Sequence, residues 1–263
     1  MSRREDLSAF NIAKRHTFIR DLPTPDFFEG MLLGNGDIGV CVTVRPDALG
    51  LHIGKNDCWD IRVSEDHIQH LLKFSEVKKL WEQASAEAKR LGRSDMLYLE
   101  SNIDFFNEYK EKVRSSYRKP WPRPWPCGII WIHWDPRRVH VEQQMLDPSN
   151  GLYRVKLWYD DLQGKQFHFM LSCFVSWHTG HIAVASNRPA PILSVAYYPY
   201  VDTDTGMPPP EVETTLGIDG AEFFCTQYFP VVAPTAKPDS SSSEDRSFAL
   251  CGRLRGRWKK LQR

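Results

Sequence analysis

The sequence predicts a mainly β protein, a large antiparallel β super-sandwich carrying a helical insertion at about 66–118. Three observations predict it. Short runs of alternating apolar, β-branched and aromatic residues recur from Met31 to about Val201, with turn residues between them. The run Val77, Leu80, Trp81, Ala84, Ala88, Leu91 switches instead to helical spacing. The chain has 263 residues, 41% of them hydrophobic, enough for one large domain or two small ones.

Residues 1–30 read as an irregular lead-in that ends at Pro23-Thr-Pro25 and Phe27-Phe28. From Met31 to about Val63, two or three strands are expected. The first polar turn lies at Gly34-Asn35-Gly36-Asp37-Ile-Gly39 and a second at Gly54-Lys55-Asn56-Asp57-Cys58-Trp59-Asp60. Gly34-x-Gly36-x-x-Gly39 matches a dinucleotide-binding fingerprint, which requires a helix after the glycines to receive the pyrophosphate. The next residues are Val40-Cys41-Val42-Thr43-Val44, whose branched side chains favour a strand. The segment therefore reads as a turn between strands, with glycine taking the positive-φ positions and Asn35 and Asp37 bonding the local backbone.

The insertion at 66–118 reads as a helical hairpin. Its first helix is closed by Gly92, and its second has the weaker pattern Leu99, Ile103, Phe106, Lys110, Val113, Tyr117, with one polar member. Pro120-Trp-Pro122-Arg-Pro124-Trp-Pro126 is expected to forbid regular structure. Strand candidates then come at Ile129–Trp134, Val139–Glu142, Tyr153–Tyr159, Phe167–Leu171 and Ile182–Ala185, and again at Ala221–Tyr228. The main domain is thus expected to span 31–232. Residues 233–263 form a polar segment with one last strand near Phe248–Leu250 and a basic, solvated tail.

Composition excludes several function classes. Lysine plus arginine number 34 against 33 aspartates and glutamates, so no global field draws nucleic acid or an anionic membrane. No apolar run approaches a membrane span. Met1-Ser-Arg-Arg-Glu-Asp lacks the apolar core of a secretory signal, and the cellular location stays open. The six cysteines are scattered, without zinc spacing, and read mostly as small buried hydrophobes. The nine tryptophans read mainly as core. No cofactor and no metal site is expected. His67-x-x-His70 lacks a third ligand at a usable spacing. Ser172, Ser176, His178 and Asp160 supply triad residue types without a nucleophile elbow. His52 and His133 fall in strand candidates.

Several segments together resemble the N-terminal β-sandwich domain of glycoside hydrolases of the family 95 type. They are Met31–Gly39, Leu51–Trp59, Pro126-Cys-Gly-Ile-Ile130, and Val141–Asp147 with Asn150-Gly-Leu-Tyr-Arg-Val155. The resemblance covers about 31–230, and the helical insertion departs from the plainest such domains. In complete family members an (α/α)6 barrel succeeds this domain and carries the general acid and base. Such a barrel needs about twelve helices of about 11 residues, more than the residues after 230 supply. The resemblance therefore implies no catalytic residue here. It implies that Asn35, Asp37, Asn56, Asp57, Trp59 and Asp60 form a substrate rim or an interface, and that the partner is a carbohydrate or a helical catalytic domain.

The expected function is an accessory domain that packs on such a barrel and frames a carbohydrate site. A freestanding carbohydrate-binding or interaction module is the alternative. An intact glycosidase using paired carboxylates such as Asp57 and Asp60 is another.

Overall fold

The computed structural model describes residues 9–60, 71–92, 107, 111, 123–161, 163–200, 213–219, 222–228 and 247–255. The chain forms two compact units. The first comprises 1–58 with 124–200, and the second 59–123 with 201–263.

The first unit is a two-sheet β-sandwich. One sheet has the order β1-β6-β7-β8-β9, built from β1 (Phe18–Arg20), β6 (Val139–Asp147), β7 (Leu152–Asp160), β8 (Gln166–Val175) and β9 (Ile182–Ser186). The other has the order β10-β5-β4-β3-β2, from β10 (Ile192–Tyr198), β5 (Arg123–Trp134), β4 (Ala48–Asp60), β3 (Ile38–Arg45) and β2 (Met31–Gly34). Alternation puts Val40, Val42, Val44, Leu49 and Leu51 of the second sheet against Tyr153, Val155, Leu157, Phe169 and Leu171 of the first. Trp134 closes this core, its indole Nε1 donating to the Pro46 carbonyl at 2.7 Å.

One core position breaks the alternation. The register between β6 and β7 slips between Val141 and Gln143, which leaves Glu142 as the extra residue of a bulge. Beyond it the inward face passes from odd to even positions, and Gln144 is fully buried. Its Oε1 accepts from Thr24 Oγ1 at 3.0 Å and from the Tyr153 hydroxyl at 2.6 Å, and its Nε2 donates to the Leu22 carbonyl.

That network anchors the segment expected to be irregular. Residues 9–30 instead form α1 (Ala9–Lys14), β1 and a single 3-10 turn at Phe27–Glu29. Thr24 also exchanges two backbone hydrogen bonds with Val44, beyond the end of β2. Two further expectations are corrected. The proline run does not exclude regular structure, because β5 begins at Arg123 and includes Pro124 and Pro126. Prolines two apart lack an N–H toward the same strand edge, so only one side loses donors. The segment 54–60 is not a turn: β4 continues through it to Asp60.

The second unit contains α2 (Phe74–Arg90) and a three-stranded antiparallel sheet, β11-β12-β13, from Glu213–Asp219, Glu222–Tyr228 and Ser247–Arg253. Of this sheet, β11 and β12 fall within the expected 31–232 span and β13 within the expected 233–263 segment. Leu80, Ala84 and Ala88 are buried on α2 at the expected helical spacing, and Gly92 comes after it with φ of 66°. Glu76 caps the helix start by accepting from the Lys73 N–H at 2.8 Å. Asn107 and Glu111 are helical, and the residues of the second helical pattern all lie outside the described residues.

Candidate functional site

The first polar turn is the β2–β3 hairpin, where Leu33 pairs with Val40 and Gly34 with Gly39. Gly36 takes φ of 92°, a conformation that would strain any other L residue. The Asn35 side-chain oxygen accepts from the N–H groups of Asp37 and Ile38 at 3.0 and 2.8 Å. Strand β3, not a helix, comes next, which excludes the dinucleotide geometry at these glycines.

The far end of β4 lies beside this hairpin because Ile38 pairs with Lys55. The Asn56 N–H donates to the Asp37 carbonyl at 2.8 Å. The Lys55 ammonium sits between two carboxylates, 3.1 Å from Asp37 Oδ1 and 2.5 Å from Asp57 Oδ1. The hydrogen bond from Lys55 holds the Asp57 carboxyl below its usual range, and the bond to Asp57 raises the Lys55 ammonium. Asp57 is therefore an anion at neutral pH, able to accept hydrogen bonds and unsuited to donate a proton.

A second hairpin from the opposite sheet completes this end of the sandwich. Asn35 Nδ2 donates to the Ser176 carbonyl at 2.9 Å, tying the β2–β3 turn to the β8–β9 turn. That turn is braced by Thr179, which donates to Ser176 Oγ at 2.7 Å, and by His181, whose Nδ1 lies 2.6 Å from Thr179 Oγ1. Gly180 supplies its positive φ of 62°. Trp177 projects from the same turn and is 74% exposed. An exposed indole beside fixed donors and acceptors suits a ligand with both an apolar face and hydroxyl groups.

The structure thus brings Asn35, Asp37, Asn56 and Asp57 together. Trp59 and Asp60 continue β4 but belong to the second unit, and Trp59 is 43% exposed. Lys55 and Trp177 had no reading of their own at the sequence level. Trp177 carried a signal, a large aromatic inside the turn Ser176–Gly180, obscured by assigning tryptophan to the core. Among the described tryptophans only Trp125 and Trp134 are buried, while Trp59, Trp81 and Trp177 are exposed. The indole is too large to be fully covered in most positions.

The remaining candidates do not assemble. Ser172 pairs with Arg154, whereas Asp160 pairs with Gln166. Six residues of strand separate Ser172 from Gln166, roughly 20 Å. His67 and His70 lie outside the described residues. No group of three metal-ligating side chains occurs among the described residues. His52 and His133 instead flank Trp131 on the outer face of the second sheet. Ring centroids lie 5.8 Å apart for His52 and Trp131, and 6.2 Å apart for Trp131 and His133. Arg45 lies over the Trp131 ring at 5.2 Å, so neighbours already occupy this indole. No helix among the described residues is long and apolar enough to cross a membrane.

No protein-family model matches the chain, and none of the curated proteins matches it significantly.

Proposed function

We propose that this chain is an accessory β-sandwich domain of a glycoside hydrolase-like protein, framing a carbohydrate site beside a catalytic domain. One observation carries the reading: exposed Trp177 stands on a hairpin bonded through Ser176 to Asn35, at the end where Lys55 bridges Asp37 and Asp57. An indole face covers the C–H face of a sugar ring while the carboxylates and amide take its hydroxyls. The Lys55 contacts also favour an accessory role over an intact glycosidase. Glycoside hydrolysis needs one carboxyl held protonated as general acid, and Lys55 acts in the opposite sense on Asp57.

The purified chain is tested for retention on immobilised glycans and for turnover of aryl glycosides. Glycan retention that Trp177→Ala and Asp37→Ala each abolish, with the circular dichroism spectrum unchanged, is the expected result. Retention unaffected by either substitution, or aryl glycoside turnover lost in Asp57→Asn, overturns the reading.

A further inference from the structure

Cys58 and Cys127 lie on neighbouring strands, β4 and β5, of the second sheet, and both are buried. Their sulfurs are hydrogen-bond partners, and the Lys55 backbone N–H also donates to Cys127. Both are free thiols. They also mark the places where the chain changes unit. It leaves the sandwich after Cys58 and re-enters at Pro124, three residues before Cys127. Three of their four immediate chain neighbours, Asp57, Trp59 and Pro126, are exposed, and Gly128 is buried.

We propose that Cys58 and Cys127 form a peroxide-oxidisable dithiol that closes into a disulfide across β4 and β5, where the chain passes between its two units. The contact they do not share assigns the roles: Cys127 alone also receives the Lys55 backbone N–H. The hydrogen bond from Cys58, joined by the Lys55 N–H, holds the Cys127 thiol below its ordinary value, and the same bond pushes Cys58 up. Cys127 is the nucleophile and Cys58 the resolving thiol. The Cys127 thiolate attacks one oxygen of hydrogen peroxide. The O–O bond breaks, and the departing hydroxide leaves as water with the proton Cys127 gave up. The Cys58 sulfur then attacks the resulting sulfenic acid, the S–S bond forms, the S–O bond breaks, and a second water leaves with the Cys58 proton. Two thiols lose two electrons and one peroxide gains them. The product covalently closes the excursion of residues 59–126.

The full chain is treated with graded hydrogen peroxide, its remaining thiols are alkylated after denaturation, and unreduced peptides are mapped by mass spectrometry. A peptide pair joined through Cys58 and Cys127, separated again by dithiothreitol, is the expected product. In Cys58→Ser, which keeps a hydrogen-bond donor toward Cys127 but cannot close a disulfide, Cys127 should instead accumulate as a sulfenic acid trapped by dimedone. Recovery of Cys58 and Cys127 as separate alkylated peptides, at a dose that fully oxidises exposed Cys251, overturns the proposal. That result is read on the wild-type chain and does not depend on the variant folding.

Discussion

Replacing Gln144 by leucine tests whether the buried amide holds the N-terminal segment onto the sandwich. Leucine has a similar volume, so no large cavity opens, and the cost is chiefly polar. The substitution removes the acceptor of the Tyr153 hydroxyl and of Thr24 Oγ1, residues that are 0% and 2% exposed. A buried polar group left unsatisfied costs about 1–3 kcal/mol. The Leu22 carbonyl also loses its donor, but Leu22 is 73% exposed and water can replace the bond. The two hydroxyls together give about 2–6 kcal/mol, offset by about 1 kcal/mol for the more apolar side chain. With a urea slope of about 2 kcal/mol per molar, the midpoint of the sandwich transition should fall by about 0.5–2.5 M. Tyr153→Phe removes one of the two orphaned groups, so the double variant should lose less than the sum of the singles. Amide exchange at Thr24 and Val44 should quicken in Gln144→Leu, because their two backbone bonds rely on the same anchor. A midpoint within 0.2 M of wild type (a change under about 0.5 kcal/mol), or strictly additive singles, would refute the reasoning.

Gly50→Ala should destabilise the sandwich by about 1–3 kcal/mol, read in the same urea melt, because the new Cβ would lie 2.5 Å from Trp131 Cζ3 and 2.7 Å from Thr43 Oγ1. Burial lowers the His52 pKa, so the folded protein favours the neutral ring that meets Thr43 Oγ1 at 3.0 Å. Its contribution should be whole above the unfolded value of about 6.5 and be lost as pH falls through the depressed folded value; urea melts across that range should show a slope that His52→Gln reduces. Excising 66–118 with a short linker should diminish the helical circular dichroism signal and keep the β signal, since α2 lies inside the excised span.

The features legible in the sequence were local. Val40, Val42 and Val44 alternate along one strand, and their branched side chains exclude the helix that a nucleotide fingerprint requires. Leu80, Ala84 and Ala88 keep helical spacing, and α2 forms where they predict it. The hairpin at Asn35 arises from its glycines and its Asx bonds. The features that stayed hidden depend on distant pairing. A one-residue bulge at Glu142 inverts the inward face, so Gln144 reads as a surface residue from pattern alone. β1 has three residues and exists because β6 offers it an edge. The strand through Pro124 and Pro126 forms against the local preference, as a partnered edge can override it. The contact of Asn35 with Ser176 joins residues 141 apart in sequence, and nothing in either segment announces it.

Lys55 decides what the polar end of the sandwich can do, and its removal is informative in both directions. In Lys55→Met the Asp57 carboxyl loses the bond that holds it below its usual range, so its titration, followed by carbon NMR, should move up toward the ordinary carboxylate range. The two carboxylates would then face each other without an intervening cation. Stability should change little, by about 0–1 kcal/mol, because the side chains of Asp37 and Asp57 are 57% and 72% exposed and water screens them. Glycan retention should fall much more than stability, since the carboxylates lose their fixed positions while Trp177 is untouched. A titration of Asp57 that does not move would show that the ammonium does not hold it in solution. Retention that survives the substitution would confine recognition to the indole and the Asn35 hairpin, leaving the carboxylates as bystanders.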